Sequence, residues 1–169
     1  MKKSRIVIIT QSALIGAMYV ALTWLSNAVG LASGAVQVRL SEALCILPYF
    51  MPSAVPGLLI GCLIANLTMG SVVWDIIFGS LATLVGAIIA SKIKNKYLVP
   101  LPNVIANTIV VPIVVLLCYT DKSLWNISTY AITAIGVFAG EVVSSYILGL
   151  LLLFALDSKK GIFTNKFNK

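Results

Sequence analysis

Histidine is absent from this chain, and acidic residues are scarce: five Asp and Glu stand against twelve Lys and Arg. Without histidine there is no H-E-x-x-H zinc arrangement and no Ser-His or Cys-His catalytic pair. The pattern G-x-x-x-x-G-K-[ST] is missing as well, so the chain does not hydrolyse ATP by itself. Cysteine is sparse and unpatterned. Cys45, Cys62 and Cys118 sit singly in apolar runs, with no C-x-x-C pair, and read as small packing residues. Above all, charge is lacking: 10% of the residues are charged, against roughly 25% in ordinary soluble domains.

What fills the 169 residues is apolar side chains, at 60%. A bilayer core about 30 Å thick and a helical rise of about 1.5 Å per residue require roughly 20 apolar residues per crossing. The chain therefore reads as an all-α polytopic membrane protein, a single transmembrane domain over residues 1–169. Six transmembrane helices are predicted, at about 6–26, 40–51, 56–70, 73–91, 100–118 and 129–156. The second and third are short, and Pro48, Pro52 and Pro56 stand near their reversal, so broken or short helices are expected there. Lys2, Lys3 and Arg5 precede an apolar stretch that runs to about Ser26, too long for a typical leader core, so it is taken as a span.

The net charge of +7 invites a nucleic-acid reading. The basic residues instead collect at the two ends and in the loop Ser91–Lys96, without a stripe of interleaved aromatics. With six crossings, both termini and that loop share one side and hold ten of the twelve basic residues, leaving Arg39 and Lys122 on the other. By the positive-inside rule both termini are expected to be cytoplasmic, in a multi-pass protein of the cell membrane.

Charged groups inside a span are costly without partners or water and are candidates for function. Four qualify: Arg39, Glu42, Asp75 and Glu141. Arg39 and Glu42 are three apart, which on a helix places them on one face near the outer end of the second segment. Asp75 opens the fourth segment, and Glu141 lies about half-way along the last. The bland alternatives are an Arg39–Glu42 pair, a helix-capping role for Asp75 and a protonated, silent Glu141. Together the four sum to −2, so at least one carboxylate is available to an outside cation or a donor-rich ligand. Asn66 and Asn107 join them as candidates for ligand contact; Asn103, with Ser144 and Ser145 nearby in the polar set, reads as interhelical glue. Trp24 and Trp74 suit an aromatic belt, with stacking on a flat ligand as the alternative. No catalytic constellation and no resident metal or cofactor is expected.

The first segment carries Ala13, Ala17 and Ala21 at intervals of four, with Gly16 beside them, a smooth stripe that lets another helix approach. Gly57 and Gly61 form a second such pair, expected to pack internally.

Three strings make the chain resemble a known family: Val36-Gln37-Val38-Arg39-Leu40-Ser41-Glu42-Ala43-Leu44, the run Pro56 to Leu67, and Asp75-Ile76-Ile77-Phe78-Gly79-Ser80-Leu81-Ala82-Thr83. They are similar to the QueT type of substrate-binding S components of energy-coupling factor (ECF) transporters, which take up queuosine precursors. The resemblance implies a six-helix S-component fold, a site near the outer face closed by the first external loop, and a deazaguanine ligand such as preQ1. It also implies partners, namely a transmembrane coupling subunit meeting the alanine stripe and two cytoplasmic ATPases that use the ATP. The rival reading from the residues alone is a self-sufficient secondary carrier coupled to protons through Glu141 or Asp75. An intramembrane enzyme and a purely structural subunit are further alternatives.

Overall fold

Apolar segments of this length can hide their backbone polar groups from lipid only by coiling into helices, and among the described residues there is no strand. The computed structural model describes residues 2–31 and 36–158. The basic tail from Lys159, the Gly34–Ala35 part of the first connection and the side chains of Lys2 and Lys3 lie outside the described residues. Helix α1 spans Lys2–Ala28, α2 Ala54–Thr68, α3 Val73–Ala90 and α4 Leu101–Tyr119. Helix α5, Ile127–Glu141, runs on through a π-helical stretch, Val142–Leu148, into α6, Gly149–Asp157. Between α1 and α2 lies a ten-residue 3₁₀ helix, Leu40–Tyr49.

Four stretches are long and apolar enough to cross a membrane: Arg5–Ala28, Val73–Ala90, Lys96–Tyr119 and Ile127–Asp157. The other two are not. Ten residues of 3₁₀ helix rise about 20 Å, and the fifteen residues of α2 rise about 22 Å. The prolines act as expected: Pro48 falls inside the 3₁₀ helix, Pro52 in the turn after it and Pro56 in the first turn of α2.

Side-chain contacts fix the path of this short pair. Ser26 Oγ accepts from Leu40 N at 2.8 Å, and Thr23 Oγ1 donates to Ser41 Oγ at 2.9 Å, so the 3₁₀ helix begins beside the last two turns of α1. It descends to the level of Ser12, whose hydroxyl donates to the Ser53 carbonyl at 2.8 Å. Helix α2 then climbs back parallel to α1. The two end in the same way: Gly30 (φ 74°) and Gly70 (φ 72°) adopt the left-handed conformation that reverses a helix C-terminus. Leu31 N and Ser71 N close the turns onto Ser26 O and Asn66 O at 2.9 and 3.1 Å.

The 3₁₀ helix is almost wholly buried, and its apolar side chains, with Ile15, Leu58 and Leu153, form a core toward the lysine-bearing end. Large apolar side chains on the outer faces of α1, α3, α4 and α5 are exposed, as lipid requires. Toward the Gly30 and Gly70 end the interior turns polar, and the candidate residues gather there.

Helices α1 and α2 touch backbone to backbone. A Cβ on Gly57 would stand 2.7 Å from Ser12 O, and one on Gly61 would stand 2.9 Å from Gly16 Cα and 2.8 Å from Tyr19 Cβ. Gly57 and Gly61 thus pack internally, with Gly16 as their partner, whereas Ala13, Ala17 and Ala21 are exposed on the opposite side of α1. Gly61→Ala is expected to lower the unfolding free energy by about 1–3 kcal/mol, the usual cost of overpacking, read as a lower melting midpoint in detergent. Ala17→Leu should leave that midpoint unchanged.

Candidate functional site

The segment leading into the 3₁₀ helix is extended and forms a strap across the bundle. Arg39 has φ −103° and ψ 106°, outside the helix. Its N–H donates to Ser144 Oγ at 3.1 Å, and Val38 N donates to Leu31 O at 2.8 Å. The strap passes so close to α5 that a Cβ on Gly140 would stand 1.9 Å from Gln37 O. Only glycine leaves room for this crossing. Because Arg39 is extended, it does not share a helical face with Glu42. Its guanidinium donates to Asn66 Oδ1 at 3.2 Å, and the one ion pair among the described residues is Lys96 with Asp157.

Below the strap, Glu42 and Glu141 face each other across Asn103, all three buried. Asn103 Nδ2 donates to Glu42 Oε2 at 2.9 Å and to Glu141 Oε2 at 3.2 Å, with Ser145 Oγ at 3.3 Å. Tyr19 donates its hydroxyl to Glu42 Oε1, and the Cys45 thiol lies 3.3 Å from Oε2. Asn107 Nδ2 donates to Glu141 Oε1 at 2.9 Å. Asn103 fits because α3 is bare opposite it: a Cβ on Gly86 would stand 2.9 Å from Asn103 Cα. Glu42 lies in the first turn of the 3₁₀ helix, near the outer end of its segment as expected, and its side chain reaches the Tyr19 hydroxyl.

Of these, Glu42, Asn107 and Glu141 line a cavity of about 40 Å³ together with Asp75, Gly79 and Thr83 of α3, Val111 of α4 and Val137 of α5. Asp75, Gly79 and Thr83 recur every four residues and so share a face, spanning about 12 Å of depth. A water molecule needs about 10–15 Å³ of such space. The cavity admits about three waters, and the strap residues Gln37 and Arg39 form part of its wall.

Of the expected residues, Arg39, Glu42, Asp75, Asn107 and Glu141 line this cavity. Asn66 stands behind it, gripping Arg39 and setting Nδ2 3.6 Å from Cys62 Sγ. Asp75 makes no side-chain cap on α3; its Oδ2 lies 3.5 Å from the Tyr119 hydroxyl. Asn103 is interhelical glue as expected, but what it joins are the two site acids. Trp24 and Trp74 are exposed and line no part of the cavity: Trp24 donates to Thr68, and Trp74 stacks on Phe78. Cys45 and Cys62 do more than pack, since one faces Glu42 and the other lines the cavity. Tyr19 was not anticipated. Its signal is a face of α1, Ser12, Gly16, Tyr19, Thr23 and Ser26 at alternating intervals of four and three, which marks a polar interior stripe opposite the alanines.

The arrangement combines a buried acid pair, a third acid, a guanidinium and asparagine amides inside an otherwise apolar bundle, which is recognition chemistry for a small polar solute. No curated protein and no solved structure matches the chain. The family model for the QueT transporter matches residues 9–158, the whole bundle from the body of α1 to the end of α6. A bundle with membrane-length helices, a polar chamber and this match belongs to the QueT transporter family.

Proposed function

We propose that this protein is the substrate-binding S component of an ECF-type transporter and that it imports a queuosine precursor, a 7-deazaguanine such as preQ1. In this reading the short 3₁₀ helix and α2 count with the four long helices as a six-helix membrane domain. As a down-and-back pair they leave both termini on the cytoplasmic side with the Lys92–Lys96 loop. The observation that carries the ligand assignment is the cavity acid pair. A deazaguanine edge presents an amide N–H and an exocyclic amine side by side, which a carboxylate accepts in parallel. Its carbonyl finds donors in Arg39 or Asn107. The exposed stripe Ala13, Ala17 and Ala21 supports a coupling partner, since no described residue covers it, and a chain without a nucleotide-binding loop fits a system in which partner ATPases use the ATP.

Calorimetric or thermal-shift titration with queuosine precursors, guanine, biotin, riboflavin and thiamine tests the ligand. A deazaguanine is expected to bind, and a vitamin binding in its place would refute the assignment. Of Glu42→Gln and Glu141→Gln, at least one is expected to lose more than about 2 kcal/mol of binding, the common cost of breaking a buried, hydrogen-bonded charge contact. Two near-neutral titrations would remove both residues from the site. Ala17→Leu is expected to leave ligand binding intact while abolishing uptake in cells that supply the partner subunits. Proton-driven accumulation by the purified chain alone in liposomes would instead establish a secondary carrier.

A further inference from the structure

We infer that the cavity acids divide a two-ended solute between them: Glu141 accepts a pair of N–H donors from its ring at the floor, and Asp75 faces a positively charged tail at the mouth. This rests on the reading of the chain as a deazaguanine-binding subunit and adds which acid takes which end.

The acids differ in how many acceptor positions their neighbours leave open. A carboxylate offers roughly four. Glu42 already receives the Tyr19 hydroxyl on Oε1 and both the Cys45 thiol and the Asn103 amide on Oε2. Its Oε2 is filled, so it cannot accept two parallel N–H bonds. Glu141 receives one donor on each oxygen, Asn107 on Oε1 and Asn103 on Oε2. An open position therefore remains on each of its two oxygens, the pattern a side-by-side donor pair requires. Its two asparagine donors hold the carboxylate plane in place before any ligand arrives. Asp75 is the least occupied, with the Tyr119 hydroxyl 3.5 Å away as its one hydrogen-bonding side chain among the described residues.

Depth separates the two roles. Glu141 is tied through Asn103 to the level of Gly86, whereas Asp75 is the third residue of α3. The lining face from Asp75 to Thr83 is about 12 Å long. A cavity of this length suits a solute with polar groups at opposite ends. Between them the wall is bare at Gly79, and Val111 and Val137 supply apolar sides, a slot suited to a flat ring. Arg39, the cation in the cavity lining, donates to Asn66 and makes no ion pair with Asp75. The Asp75 oxygens thus remain open to a solute.

Binding constants of the full-length protein for 7-deazaguanine and for its 7-aminomethyl derivative test this division. Glu141→Gln is expected to weaken both compounds by about 30-fold or more, as for loss of a buried charged contact. Asp75→Asn is expected to weaken the aminomethyl compound by about 10-fold and the tail-less one by less than about 2-fold, as removal of one half-buried charge partner would. If Glu141→Gln does not fold, Glu141→Asp withdraws the same carboxylate and carries the same expectation. Equal losses for both compounds in Asp75→Asn, or a neutral Glu141 variant, would overturn the division while the wild type still binds both. Wild-type protein that binds neither compound overturns the deazaguanine reading and this division with it.

Discussion

The two hydrogens of one amide, on Asn103, organise the site. They join Glu42 of the 3₁₀ helix to Glu141 of α5 from a position on α4. Two carboxylates in a bundle surrounded by hydrocarbon are costly unless every oxygen finds a donor. Here Asn103 serves both at once, and Tyr19, Cys45 and Asn107 complete the set. Four separate elements are fixed relative to one another by this junction. The bare surface of Gly86 is its counterpart, because α3 must lie close enough to seal Asn103 from lipid.

The remaining architecture serves to bring that junction to the right depth. A strap of extended chain carries Arg39 down over Gly140, and the 3₁₀ helix begins only there. Its apolar residues then plug the lysine-bearing end, so the polar chamber opens toward the other. The π-helical stretch follows Glu141 directly and contains Ser144 and Ser145, which touch the strap and Asn103. Such wide turns occur mostly at functional sites, where an extra residue per turn re-aims side chains.

Much of this was legible in the chain itself. Hydropathy located the longer helical stretches to within a few residues, because lipid leaves the backbone little choice. The isolated acids announced themselves by their cost, and five of six expected residues meet in one cavity. What could not be read was partnership. Residue spacing put Arg39 and Glu42 on a shared helical face, but the backbone is extended at Arg39, and no short-range pattern encodes where a 3₁₀ helix starts. Asn103 looked remote because it stands only two residues into α4. Its reach across to Glu42 depends on Gly86, a contact between residues far apart in sequence. Tyr19 was hidden among apolar neighbours, visible only as part of a helical stripe.

The size of the cavity bears on rates as much as on fit. A chamber of about 40 Å³ is small beside a ring-sized solute, and the strap packed on Gly140 and Ser144 forms part of its cover. If the strap must lift to admit such a solute, entry and escape wait for the same event. Association is then slower than diffusion, and residence is long for the same reason. The close packing that only a glycine permits would thus set the pace of exchange as well as the shape of the site.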